Sequence, residues 1–232
     1  MSVKTNLSAF EKRISLKFKD KELIKQVFVH RSYLNENPNF GLEHNERLEF
    51  LGDAVLELVV TEYLYLNYKN PEGELTNWRS ALVKGQMLSQ IATELGINEY
   101  LYLSKGESQS QGKSRQLILA NTFEALVGAI YLDQGYKKSQ QFINKFILVH
   151  LQRILDNELF KDAKSRLQEL SQELNAVTPI YKVISESGPD HAKNFNIGVY
   201  LDNDKLFAEG LGSSKQEAEQ DAAQKALEKW SN

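Results

Sequence analysis

The 232-residue chain reads as an all-α domain followed by a small α+β unit of order α-β-β-β-α. Three observations predict this. From Lys21 to about Arg153 apolar residues recur at helical spacing, after Asp156 short alternating segments replace them, and an alanine-bearing helix closes the chain. In the first block "LIKQVFVH", "AVLELVVTEYLYL", "ALVKGQMLSQIATELGI" and "NTFEALVGAIYL" are the helical runs, and "NENPNFGLE", "KNPEGE" and "SKGESQSQGKS" are loops. "ILDNELFKD" is read as the linker, which sets domains over residues 1–155 and 162–232 with 156–161 between them. In the second block "AKSRLQELSQEL" is a helix and "IYKVISES" a strand. "NFNIGVYL" puts Phe195, Ile197, Val199 and Leu201 on one face, and "DND" turns the chain into "KLFAEGLG". "SKQEAEQDAAQKALEKW" then keeps Ala218, Ala222, Ala226 and Trp230 in line, and small alanines suit close packing against a sheet.

Composition narrows the chemistry. With 41% hydrophobic and 25% charged residues the chain is an ordinary soluble globular protein, and no stretch has the apolar length of a signal or a membrane span. A cytoplasmic protein with no membrane partner is expected. There is no cysteine, so disulfides and thiolate metal sites are excluded and any metal must be a hard cation held by oxygen or imidazole. The net charge of −3 argues against indiscriminate phosphate binding unless a local patch overrides it. Residues 1–159 hold nineteen basic and nineteen acidic residues and residues 160–232 nine and twelve, so the excess acid lies entirely in the second block.

The segment "HNERLEFLGDAVLE" sets acids inside a helical run. At about 100° per residue, with Glu46 at zero, Glu49 falls at about −60° and Asp53 at about −20°, whereas Leu48, Leu51, Val55, Leu58 and Val59 fall between roughly 120° and 220°. Asn45 is placed as the N-cap, and an acid in the first turn is favoured by the helix dipole. A solvated acidic face and a metal site both fit this pattern. Phe50, at about +40°, lies on the acidic side, where a ring calls for a cover; Glu57 is read as solvated. In "ILANTFEALVGAIYLDQG" Asn121 and Glu124 stand at i and i+3 in an apolar run whose Ala125, Gly128 and Ala129 admit a close neighbour. If the two helices cross with polar faces together, Glu49, Asp53, Asn121 and Glu124 supply four oxygen donors, a partial shell suited to Mg²⁺. Two unrelated acidic patches remain the other reading. His30 and His44 are read as structural.

"NERLEFLGDAVL" resembles the signature helix of ribonuclease III, and "FVHRSY", "SALVKGQMLSQIATELG", "KGE" and "ILANTFEALVGAIYLDQG" match in order and spacing. The second block resembles the double-stranded-RNA-binding domain that follows the nuclease domain in bacterial members, with "SRLQEL", "GPDH" and "GSSKQEAEQDAA" as landmarks. The resemblance covers nearly the whole chain. It implies an Mg²⁺-dependent endonuclease, with Mn²⁺ able to substitute and no organic cofactor. As a homodimer it cuts both strands of an RNA duplex, leaving 5′-phosphate and 3′-hydroxyl ends with a short 3′ overhang; precursors of ribosomal RNA are the family's usual substrates. Glu49, Asp53 and Glu124 would bind the metal, Asn121 would take the fourth position, and Glu46 would lie beside the site and help organise RNA or water. The family commonly has Asp where this chain has Asn121, so one charge fewer should weaken Mg²⁺ binding. Phe50 would insert into the partner subunit.

For the second block the resemblance points to Ser165, Gln168 and Glu169 against one minor groove and the loop of Pro189, Asp190 and His191 against the next, a reading by shape that tolerates an acidic domain. Lys215 would meet phosphate beside free backbone N–H groups at a helix start. Family members carry adjacent lysines there and this chain has Gln216, so the isolated module should bind weakly and with strong salt dependence. A non-catalytic double-stranded-RNA-binding protein is the alternative. Against it stand Glu49, Asp53 and Glu124, which binding alone does not require.

Overall fold

A computed structural model describes residues 6–175, 177–189, 193–201 and 205–230. The chain divides after Phe160 into two compact units. The first is built from helices: α1 (Leu7–Ile14), α2 (Lys21–Val27), α3 (Arg31–Glu36), α4 (Glu46–Asn67), α5 (Glu72–Val83), α6 (Gly85–Glu94), α7 (Lys105–Ser108), α8 (Gly112–Gln134), α9 (Tyr136–Phe146) and α10 (Leu151–Asp156). Single 3₁₀ turns fall at Ile97–Glu99 and Leu148–His150. The core gathers around α8, whose Phe123, Leu126, Val127, Ala129 and Ile130 are wholly buried beneath α4, α6 and α9. A helix apolar on most sides needs neighbours on most sides, and α8 has them.

Several expectations are revised. The run "ALVKGQMLSQIATELGI" is two helices, because Lys84 adopts an extended conformation (φ −61°, ψ 143°) between α5 and α6. The loop "SKGESQSQGKS" contains α7, capped at its start by Ser104 Oγ accepting from the Glu107 N–H at 3.2 Å, and α8 begins already at Gly112. The segment "ILDNELFKD" opens in helix, because Ile154 is buried in the first unit's core. Leu58 is exposed: the buried arc of α4 is centred on Gly52, Leu56, Val59 and Val60, which leaves Leu58 at its solvent edge. Asn45 precedes α4 without capping it. Its side chain is buried and donates to the Val27 carbonyl at 2.8 Å, while its N–H donates to Val29 O at 2.9 Å, so it ties the start of α4 to the end of α2.

The second unit follows the sequence reading closely: α11 (Ala163–Asn175), β1 (Ile180–Ser187), β2 (Asn194–Tyr200), β3 (Leu206–Gly212) and α12 (Lys215–Trp230). The antiparallel sheet has order β1-β2-β3, and Val199 and Tyr181 pack with Ala222, Ala223 and Ala226 of α12 and Leu167 of α11. Both helices cover one face of the sheet. Among the described residues no helix is long and apolar enough to cross a membrane.

Candidate active site

The site rests on the crossing of α4 and α8, the most extensive helix pairing in the first unit. Two glycines set it. A Cβ on Gly52 would lie 1.7 Å from the Glu124 carbonyl oxygen, and one on Gly128 would lie 2.2 Å from that of Leu48. The helices therefore meet backbone to backbone, and neither position accepts a side chain. The residue one turn before each glycine and those beside it face a shared surface: Glu49 and Asp53 flank Gly52, while Asn121 and Glu124 precede Gly128. Gly52 is absent from the sequence-derived site. A glycine inside an uninterrupted helix costs about 1 kcal/mol against alanine, and that cost was the available signal.

The electrostatics show that the four donors are neighbours. Half-buried Glu49 has its carboxyl raised above the ordinary range, by burial first and then by Glu46 and Asp53, while a hydrogen bond with the Asn121 side chain opposes the rise. Glu124 is pushed up to about 7, by burial first and then by the charges of Asp53 and Glu49. Among the described residues no cation contributes to either shift. As they stand, no three Asp, Glu, His or Cys side chains among the described residues close on a point tightly enough to hold a metal ion. Like charges with no counter-ion repel, and the donor chemistry, three carboxylates and an amide oxygen with no soft ligand, fits a hard cation that would offset that repulsion.

Glu46 stands at the edge of this group. Arg31 Nη1 lies 3.6 Å and His44 Nδ1 3.8 Å from its carboxylate, so a basic flank borders the acids. His30 is structural: Nδ1 accepts from the Ser32 N–H at 3.3 Å and caps α3, and burial lowers its pKa, which favours the neutral ring. Glu57 is exposed, as expected. Phe50 is 82% exposed, with no cover among the described residues. Tyr65, 73% exposed, and Leu58 continue an apolar stripe along α4 from it.

In the second unit Ser165, Gln168 and Glu169 are exposed on α11, and Pro189 is exposed after β1. Asp190 and His191 lie outside the described residues. The Ser165 hydroxyl donates to Asp162 at 2.7 Å, and Glu169 pairs with Lys161 at 2.5 Å. Lys215 opens α12, with Glu186 at 3.5 Å and the Phe195 ring at 5.7 Å. One of the N–H groups expected to be free there is taken within the chain. The Glu217 N–H donates to Ser214 Oγ at 3.2 Å, and the Glu217 carboxylate accepts from the Ser213 N–H at 2.9 Å, so one first-turn donor is used and an acid is brought to the helix start.

A crossing of two helices that gathers acids, joined to a helix-flanked three-stranded unit with an exposed Lys215 at a helix start, defines a class: a helical domain with an acidic site and an appended α-β-β-β-α module. Comparison with known proteins makes the class specific. Residues 20–151 match the family model described as ribonuclease-III-like, and residues 163–230 match that of the double-stranded RNA binding motif. Ribonuclease 3 of Streptococcus gordonii is 44% identical over 218 residues, spanning 94% of this chain and 93% of that protein. Ribonuclease 3 of Leptospira interrogans is 47% identical over 223 residues, spanning 94% and 88%. The crystal structure of the nuclease domain of ribonuclease III from Campylobacter jejuni aligns with a TM-score of 0.56 and 35% identity, covering 63% of this chain and 96% of that one. The chain belongs to the ribonuclease III family of double-stranded-RNA endoribonucleases.

Proposed function

We propose that Glu49, Asp53, Asn121 and Glu124 hold Mg²⁺, or Mn²⁺ in its place, and that the chain uses it to hydrolyse both strands of structured RNA such as ribosomal RNA precursors, leaving 5′-phosphate and 3′-hydroxyl ends. The observation that carries this is the α4–α8 crossing, where three carboxylates are brought together on a half-buried surface and, among the described residues, no cation contributes to the raised Glu49 and Glu124 carboxyls. Bound there, a divalent ion supplies charge compensation for the phosphate and an activated water. The chain's own residues do the rest. The hydrogen bond between Asn121 and Glu49 orients that carboxylate, and Asp53 and Glu124 complete the oxygen set. Glu46, bordered by Arg31 and His44, organises the water or RNA at the rim.

A homodimer fits the same reading. Phe50, Leu58 and Tyr65 make an exposed apolar stripe on α4, of the kind that marks a protein interface. A further Campylobacter jejuni nuclease-domain structure, 36% identical to this chain with a TM-score of 0.56, is described as flexible in a region involved in dimer formation. The second unit, with Ser165, Gln168, Glu169, the Pro189–His191 loop and Lys215, would take the duplex by its shape, and a cytoplasmic location follows from such a substrate.

The test is a labelled perfect RNA duplex incubated across a range of Mg²⁺ beside Glu124→Ala and Asn121→Asp. Cleavage should vanish in Glu124→Ala, and Asn121→Asp should reach half-maximal rate at lower Mg²⁺ because a carboxylate replaces an amide oxygen. Undiminished cleavage by Glu124→Ala would refute the ligand assignment.

A further inference from the structure

The sheet of the second unit has a face that neither helix covers. Alternation along β2 sends Ile197 and Val199 inward, both buried, and Gly198 and Tyr200 outward. Gly210 and Gly212 of β3 face α12, since a Cβ on either would strike Ala218, so Glu209 and Leu211 face outward. On the outer side Ile184, Tyr200 and Leu206 close over Gly198: a Cβ there would lie 2.6 Å from Leu206 Cδ1, 2.9 Å from Tyr200 Cε2 and 3.0 Å from Ile184 Cδ1. Ile180 (54% exposed), Ile184, Leu206 and Leu211 (62% exposed) thus share one surface with Tyr200, and the Lys182 ammonium lies 5.2 Å from the Tyr200 ring. This face is apart from α11 and the start of α12.

The strand register gives the surface a particular symmetry. Lys182 pairs with Gly198, and Gly198 with Glu209, so a cation and an anion stand at opposite ends of one rung with a glycine between them. Ile180, Tyr200 and Leu206 make the next outward rung, and Ser185, Asn196 and Leu211 the one on the other side, with Ile184 bulged beside it. Consider a two-fold axis running parallel to β2 and midway between two such sheets. It lays β1 of one copy over β3 of the other and leaves each rung at its own height. Lys182 then faces Glu209 of the second copy, Ile180 faces its Leu206, Ile184 faces its Leu211, and Tyr200 faces its Tyr200. Among the described residues no rung opposes like charges, and Ile180, Ile184, Tyr200, Leu206 and Leu211 each have an apolar side chain on or beside the facing rung. Aligned sheets pack face to face about 10 Å apart, a spacing that side chains of this size fill.

We propose that the outer sheet face of the second unit is a homotypic docking surface, which takes the same face of a second copy of this chain about a two-fold axis along β2. The occupant is a second copy because the charge pattern is complementary to itself: one cation and one anion stand on the same rung, equally far from the centre strand, so this operation sets each against the other, while Glu209 also accepts from Asn196 Nδ2 at 2.9 Å within the chain. Few side chains take part, so the contact is weak and is formed at high local concentration. It leaves α11 and the N-terminus of α12 on the outside of the pair, pointing away from each other.

The absence of cysteine from the chain makes the test direct. Full-length protein carrying Asn194→Cys, an exposed outward position on β2, is treated with a bis-maleimide spanning about 10 Å, the expected separation of facing sheets. Gln224→Cys, exposed on α12, is the control. Asn194→Cys should yield chain-to-chain product well above the control. Adding Lys182→Glu should cut that product about fivefold, since symmetry makes each substitution act twice, and adding Glu209→Lys to that variant should restore it. Association through the first unit is untouched in all variants and is common to both arms. Product at Asn194→Cys no greater than at Gln224→Cys, or a charge swap that fails to restore it, overturns the proposal.

Discussion

Replacing Glu124 by Gln should stabilise the metal-free protein above neutral pH. Its carboxyl ionises at about 7 in the folded chain against an ordinary 4.5, so between those values the folded state keeps a proton that the unfolded state has released. The folded state binding more protons means that stability falls as pH rises, with no penalty below 4.5 and the full penalty above 7. At about 1.4 kcal/mol per tenfold change the ionised group would cost up to ~3 kcal/mol, and because the side chain is only partly buried, solvent screening brings this to ~1–2 kcal/mol. Gln cannot ionise. Thermal melts in a chelator should place Glu124→Gln about 3–6 °C above the wild type at pH 8, with the gap closing toward pH 4.5. Added Mg²⁺ should raise the wild type and leave the variant nearly unmoved. A variant no more stable than the wild type at pH 8, or a gap that does not change with pH, would refute the electrostatic account of the site.

Gly52→Ala should be far more harmful than an ordinary helix substitution. Its Cβ would sit 1.7 Å from the Glu124 carbonyl oxygen, so α4 and α8 must part, and chemical denaturation should show a loss of about 2–4 kcal/mol together with lost cleavage. Phe50→Arg should shift the sedimenting species toward monomer while leaving the helical content unchanged, since the ring is 82% exposed and contributes little to the chain's own core. For duplex binding measured against salt, Lys215→Ala should reduce the slope by about one counter-ion. Glu186→Gln, which frees Lys215 from the carboxylate at 3.5 Å, should tighten binding a few-fold at low salt.

Much of this was readable in the residues. The three strands fall where period-2 alternation placed them, because one face of each meets helices and the other does not. The acidic face of α4 was an angular argument, and Glu49, Asp53, Asn121 and Glu124 are indeed electrostatic neighbours. What escaped depends on partners that are distant in sequence. Leu58 looked like core because its angle lies at the edge of the apolar arc, and only the position of α8 decides which edge is buried. Asn45 looked like a cap because its residue type suits one, yet the Val27 carbonyl, eighteen residues away, claims its side chain. Gly52 was overlooked because a hydrophobic pattern scores side chains, and its contribution lies in having none.

The meeting of α4 and α8 through their main chains has a consequence for how the acids can vary. Where helices are held apart by side chains, a changed core residue alters the gap, and anything mounted across it drifts. Here the gap is closed to main-chain contact at two glycines, so the spacing of the four donor positions is as fixed as the peptide geometry itself. Substitutions elsewhere in the core should lower the melting temperature without widening that gap, and exchanging Asn for Asp at position 121 should keep the backbone spacing while removing the hydrogen bond that orients Glu49. Fold stability and the backbone geometry of the acidic site are thereby separated, and each is open to adjustment while the other stays put.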